Sequence, residues 1–355
     1  MNSVSDGAAA RRTIFSGCSE AMGGRSTALI AGVVLWGVGA LVSGTDAPTP
    51  ASAEQTPQTL EEIKVVGERP GPRLWKVTKG DHVLWLLGTL THIPKHMTWR
   101  SKEVEVALSE SQELLDSGMS VSASIGPFSA VKLYIQWRHT EKNPDHTTLK
   151  SWIPAPLYSR FEAVKGNFDN GDQSIEELRP SLAALRLYDK AVDAAGLTQR
   201  EEIEDAVVKL ARKLHVPVQR AKVQVTDPSG ALKELSSLSP SLEVDCLDAT
   251  VTRIESDLKN MQQRGVAWSV GDVERLRALP FPDQREICIN AISNSPRMKA
   301  LVDSAQQAWL EEAEAALIRN RVSFAMRPIY ELLDGGGPLA RFRAEGYRIE
   351  GPGKQ

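Results

Sequence analysis

What the chain lacks narrows its chemistry first. Three cysteines stand among 355 residues, with no zinc-finger spacing between them. Charge of one sign is missing too: the formal net charge is -3, and no stretch forms the basic surface that nucleic-acid binding requires. No Walker loop, dinucleotide-binding glycine fingerprint or HExxH motif occurs, which removes the nucleotide and metalloprotease chemistries those motifs carry. Gly335-Gly336-Gly337 reads as a turn, and there is no internal repeat. The longest uncharged apolar run, Thr27 to Val42, is shorter than the ~20 residues a membrane-spanning helix needs.

That run sets the first boundary. Arg25 precedes it and Ala51-Ser52-Ala53 follows as a small-residue cleavage site. Residues 1–53 are therefore expected to be a cleaved signal peptide, with Met22 as an alternative start. The mature protein is expected in the periplasm, touching membrane only through its signal sequence; the alternative is an uncleaved inner-membrane anchor. Cys18 leaves with the leader. Cys246 and Cys288 remain, an even pair in an oxidising compartment, and are expected to form a disulfide. Residues 54–72 form a polar, proline-bearing segment with a short strand at 63–66.

The rest of the chain is organised around Leu74 to Thr89. Two apolar runs flank Lys79-Gly80-Asp81, which predicts a β-hairpin. Its second run, Val83 to Leu87, is apolar throughout and suits a strand buried on both faces. The run ends at Gly88-Thr89. Ligands in α/β sheets collect at such carboxyl ends, so His92 and its surroundings are expected to belong to any site. A helix over 101–112 follows, with Val104, Ala107 and Leu108 inward, then a strand from Leu114. The segment 118–143 permits a helix after Gly126-Pro127.

From Leu157 the pattern turns helical. Pro180 opens a helix with Leu182, Leu185, Tyr188, Val192 and Ala195 as its apolar stripe, stopped by Gly196. Thr198 to Glu201 has the form of a capping box for a helix burying Ile203, Val207, Leu210 and Leu214. A strand over 216–225 closes at Asp227-Pro228-Ser229-Gly230. A long helix over 241–263, ended by Gly265, carries Leu247, Val251, Ile254, Leu258 and Met261, a nearly heptad spacing. Short helices are expected over 273–279 and 283–292, and a long one over 298–320. Ser323 to Met326 reads as a closing strand and 346–349 as a terminal one. The fold class expected is α/β (α+β): a central sheet opened by the hairpin, with a large helical insertion over about 155–320 inside a domain of 73–350, and a tail at 351–355.

Candidate chemistry is sparse. His92 and His96 stand four apart, but Pro94 between them makes the segment a loop rather than a helix presenting both to one metal. No Ser–His–Asp constellation can be assembled from the residues. The tryptophans at 75, 85 and 99 read as core.

The stretch LWKVTKGDHVLWLLGTL with its following IP, then an amphipathic helix and ELL, resembles the N-terminal signature of the TraB/PrgY/GumN family. Arg319-Asn320-Arg321 and GGPLARFRAEGYRIE resemble its C-terminal signature. The likeness spans about Leu74 to Glu350. It implies kinship with Tiki proteases and erythromycin-esterase-like proteins, and a metal-dependent hydrolase site made by two G-x-x-H motifs, a glutamate and an arginine. This sequence departs from that pattern. Gly88-Thr89-Leu90-Thr91 has threonine at the fourth position, with His92 one place later. Asp116 is the carboxylate nearest the expected glutamate, and Pro328-Ile329-Tyr330-Glu331 has glutamate for histidine. Arg321 matches the arginine. The candidate catalytic residues are thus Thr89, His92, Asp116, Arg321 and Glu331, with His92 and Glu331 as candidate metal ligands. Gly88-Thr89 and Arg321 are expected to lie together at one rim of the sheet.

The reading that follows is an exported protein with a degenerate hydrolase site. It would bind a small molecule, peptide or envelope protein, and no nucleic acid. The alternatives are an active metal-dependent hydrolase of protease or esterase type, using zinc or manganese, and a structural envelope protein self-associating through the Leu247–Met261 stripe.

Overall fold

The computed structural model describes residues 71–99, 101–123, 131, 134–135, 141–143, 147–168, 173–199, 201–225, 227–281 and 296–352. The leader, the strand at 63–66, the helix at 283–292 and Cys288 lie outside the described residues. So does most of the segment after Gly126-Pro127, where Val131 and Ile135 are helical and exposed.

The hairpin forms as its sequence dictates. Strand β1 (Leu74–Lys79) and strand β2 (His82–Thr89) pair antiparallel, from Leu74 opposite Leu87 to Lys79 opposite His82. Gly80 turns the chain at φ +63°, a left-handed conformation glycine adopts without steric cost. Helix α1 (Lys102–Ser109) is capped by the Ser101 hydroxyl, which accepts from the Val104 N–H, and buries Val104, Ala107 and Leu108. Strand β3 (Leu114–Ala123) follows.

The helical part contains α2 (Leu149–Trp152), α3 (Ala155–Phe168), a 3₁₀ turn at Ser174–Glu177, α4 (Pro180–Ala194) and α5 (Glu202–Lys213). Strand β4 (Val218–Val225), α6 (Pro228–Ser236), α7 (Pro240–Ser269), α8 (Val273–Ala278) and α9 (Pro296–Arg319) come next. Strand β5 (Val322–Pro328), α10 (Ile329–Leu333), α11 (Pro338–Ala344) and β6 (Arg348–Glu350) complete the chain.

The six strands are ordered β4-β3-β5-β2-β1-β6, with β1 running against the other five. This is a mixed α/β fold with an N-terminal hairpin and a helical insertion. Ser323 to Met326 does form a strand, but β5 sits in the middle of the sheet rather than closing it: it pairs parallel with β2 on one side and β3 on the other. Its burial follows, since Phe324, Ala325 and Met326 are wholly enclosed. One apolar cluster joins the sheet to α1, α5 and α9; a second joins α2, α3, α4 and the front of α7.

Several local expectations are corrected. Helix α7 runs through Gly265 to Ser269. A Cβ at Gly265 would come within 2.5 Å of Pro94 Cδ, so the glycine allows close packing on the loop after β2 instead of ending a helix. Helix α4 buries Ala183, Ala184, Leu187, Ala191 and Val192, while Leu185 is 60% exposed. Strand β4 does end at Val225, just before Asp227, but that residue also caps α6, its side chain accepting from the Gly230 N–H. The near-heptad residues Leu247, Val251, Ile254 and Met261 are buried within the chain, so that stripe is not a surface for self-association. Among the described residues no helix is long and apolar enough to cross a membrane.

Candidate functional site

The register of β2 on β5 decides what can meet at the carboxyl rim. Gly88 lies opposite Arg327 and Thr89 opposite Pro328. Val83 lies opposite Val322, so Arg321 stands at the other end of these strands, roughly 20 Å from Thr89 at ~3.3 Å per residue. Its carbonyl accepts from the Val83 N–H and its guanidinium lies 3.6 Å from Asp81. The expectation that Arg321 joins Gly88-Thr89 is therefore wrong. The arginine at that rim is Arg327, which ends the apolar run of β5.

Side-chain alternation then divides the rim into two faces. Leu87 and Thr89 share a face with Met326 and Phe324, hence with Leu114 and Asp116 across β3. On this face Thr89, 2% exposed, stands beside the Glu204 carboxyl of α5, close enough for its hydroxyl to favour the ionised form. Glu204 is 6% exposed, and its Oε2 has no hydrogen-bond partner. Burial pushes its carboxyl up to about 7. The Thr89 hydroxyl and the Glu204 backbone N–H oppose that rise, and the charges of Glu201 and Asp116 add to it. Asp116, equally buried, is bonded to Arg220 of β4 at 2.7 Å.

On the opposite face Arg327 is stacked over the Trp309 ring of α9, 4.9 Å from guanidinium to centroid. It donates to Glu331 of α10 at 2.5 Å. The Trp309 indole N–H is buried without a partner. Gly88 carries no side chain into this corner because a Cβ there would sit 2.7 Å from Ile329 Cγ1; its carbonyl accepts from the Trp268 indole at 2.7 Å.

His92 is drawn away toward the helices. Its Nδ1 bonds the Thr198 carbonyl at 2.8 Å, and its ring meets Tyr188 edge to face, 5.4 Å between centroids. Desolvation lowers its pKa, the Thr198 bond opposes this, and the charges of Arg253 and Arg264 on α7 add to the lowering. Those arginines converge on Asp257: Arg264 makes a buried two-pronged pair at 2.6 and 2.9 Å, and Arg253 stands at 3.6 Å.

Thr198 is the hub of this region. Its N–H donates to the Ile93 carbonyl, its hydroxyl accepts from the Ile93 N–H and donates to the Thr91 carbonyl, and its own carbonyl takes His92. It does not form the expected capping box: the N-cap of α5 is Glu201, with no side-chain capping bond. Pro94 to Met97 make a tight turn that places His96 at φ +62°. Beside it lies an open depression of about 380 Å³ lined by Lys95, His96, Asp193, Thr198, Gln199 and Glu202.

The five candidate residues are thus held by different partners. Thr89 stands beside Glu204; His92 goes to Thr198, Asp116 to Arg220, Glu331 to Arg327 and Arg321 to Asp81. Such a set does not fit the divalent metal that the family resemblance implies. A cation would have to displace a guanidinium from each carboxylate, and among the described residues no three of His, Cys, Asp and Glu are grouped to hold one. Sequence reasoning missed Glu204, Arg220, Arg327 and Thr198. Arg327 alone left a signal, a charge at the end of a run that is otherwise apolar enough for a central strand.

No curated protein and no solved structure matches the chain significantly. Its residues 73–351, hairpin to terminal strand, match the sequence model of the TraB/PrgY/gumN family, and the chain belongs to that family.

Proposed function

We propose that this protein is an exported member of its family whose ancestral hydrolase site is degenerate, and that it binds a small molecule, peptide or envelope protein at the carboxyl rim of its sheet. One observation carries the reading: both candidate carboxylates are neutralised by arginine, Asp116 by Arg220 and Glu331 by Arg327. A guanidinium holds a carboxylate's charge permanently, whereas a catalytic metal needs deprotonated ligands with an open coordination position.

Elemental analysis of the purified mature protein, with a His92→Ala control, tests this. The expected result is zinc and manganese far below one per chain, and a melting temperature that neither metal raises. Near-stoichiometric metal lost on His92→Ala would overturn the proposal in favour of a metal-dependent hydrolase.

A further inference from the structure

We propose that Arg327 is a pre-set receptor for a carboxylate, and that the ligand of the carboxyl rim is a small molecule carrying one. The inference rests on the binding role proposed above and names the chemistry that the rim recognises.

Arg327 is the last residue but one of β5, at the carboxyl end of a central strand, where ligands of α/β sheets collect. It follows the wholly enclosed Phe324, Ala325 and Met326, and is itself only 8% exposed. A charge so placed has to be held, and two contacts hold it. Its guanidinium lies over the Trp309 ring, 4.9 Å from the centroid, and its Nε donates to the Glu331 carboxylate at 2.5 Å. Trp309 comes from α9 and Glu331 from α10, so two separate elements fix the guanidinium before any ligand arrives.

The bond to Glu331 uses the Nε end alone. Nη1 and Nη2 bond no described residue. The Trp309 indole N–H on this face is buried without a partner, whereas the two Nη groups are not so enclosed and meet solvent at the rim. Paired donors on a planar fork fit the two oxygens of one anion, and charge-assisted bonds of that kind are strong and directional. With the fork already oriented, a ligand has little side-chain freedom left to suppress, which favours binding.

The neighbouring charge selects among anions. Glu331 neutralises the arginine from its Nε end, so each negative charge a ligand brings is also repelled by that carboxylate. A carboxylate brings one charge, in a single plane, across the width of the guanidinium from Glu331. A phosphate monoester brings about two at neutral pH. The carboxylate is therefore the better match.

Nitrogen–proton NMR of the purified mature protein carrying labelled arginine tests this, with the Arg327 Nε–H assigned through its own backbone. The probes are benzoate, phenyl phosphate and benzamide at constant ionic strength. Benzoate is expected to shift the Arg327 signal saturably, phenyl phosphate to bind at least about tenfold more weakly, and benzamide to leave the signal in place. Arg327→Lys keeps the charge without the fork, and saturation transfer to benzoate should show binding weakened at least about tenfold. Phenyl phosphate binding as tightly as benzoate, or undiminished benzoate binding by Arg327→Lys, would overturn the assignment. The wild-type signal decides without any substitution: a benzoate shift no larger than that given by sodium chloride also overturns it. Metal content of the same samples separates two failures. A metal-free protein with no saturable shift sinks this inference alone, and stoichiometric zinc or manganese sinks it together with the reading beneath it.

Discussion

The ion pair between Asp257 and Arg264 offers the sharpest quantitative test of how the His92 region is built. Asp257 is 1% exposed and Arg264 4%, and the two guanidinium bonds are 2.6 and 2.9 Å. Arg264 also donates to the Pro280 carbonyl and lies over Phe281, 4.9 Å from the ring centroid. Removing one partner leaves the other as an uncompensated buried charge, and such removals cost about 3–5 kcal/mol. Asp257→Leu should fall at the upper end, because it strips the counter-charge from Arg264 and also from Arg253 at 3.6 Å. Arg264→Met should fall at the lower end, since Arg253 remains beside Asp257. The double substitution removes both charges together, so it should lose far less than the sum of the singles, with a coupling of about 2 kcal/mol or more. Urea unfolding of all four proteins at pH 7 measures the cycle. If the single effects simply add, or if either single costs less than about 1 kcal/mol, the two charges are solvated and the buried-pair reasoning fails.

Three further outcomes follow from contacts at the rim and from the cysteines. Gly88→Ala puts a methyl 2.7 Å from Ile329 Cγ1 and 2.9 Å from its Cβ, an overpacking expected to destabilise by about 1–3 kcal/mol in denaturant melts; no loss would mean that α10 moves freely. Thr198→Val removes the acceptor for the Ile93 N–H and the donor to Thr91, and is expected to cost about 1–3 kcal/mol and to raise exchange at Ile93 above that of the β2 amides. Intact-mass analysis of envelope-fraction protein, before and after reduction, is expected to show a chain beginning near Glu54 with Cys246 and Cys288 joined; two free thiols, or retention of Thr27 to Val42, would refute those expectations.

The hairpin, α1 and the helical insertion were legible because their signals are local. Alternation, helical periodicity and a Gly80 turn act within a few residues of where they are written. The position of β5 was not legible, since strand order depends on which elements meet after long excursions along the chain. Gly265 misled for a related reason: its sequence signal is that of a helix stop, while its role is set by Pro94, far away in the chain. In α4, leucines and alanines occupy adjoining faces, and contact with α7 selected the alanine side, leaving Leu185 in solvent. The site suffered most. Family spacing identified Thr89 and Asp116, but the partners that fix their chemistry, Glu204 and Arg220, come from an ordinary first-turn glutamate and an alternating basic strand. Neither residue announces burial on its own.

His92, part-buried in the 91–98 loop, and Glu204, buried in the first turn of α5, titrate in opposing senses, and their opposition makes the stability profile diagnostic. His92 is neutral when folded, its pKa below the usual histidine value, so the unfolded chain takes up the proton first and stability falls as pH drops below about 6.5. Glu204 is protonated when folded up to about pH 7, so stability falls as pH rises from 4.5 toward 7. Each group alone would tilt the curve, and where their ranges overlap the two slopes oppose. Substituting one should expose the slope of the other. Glu204→Gln keeps the size and polarity of the side chain while removing the charge, so it should leave stability nearly unchanged at pH 4.5. At pH 8 it should raise stability by up to about 3 kcal/mol, the value of a shift from 4.5 to about 7. His92→Asn should do the reverse, flattening the decline on the acid side and leaving pH 8 unaffected by the charge. Thermal or urea melts of the three proteins at pH 4.5, 6 and 8 decide it. A Glu204→Gln protein whose advantage is the same at every pH would show that repacking, and not ionisation, sets the difference.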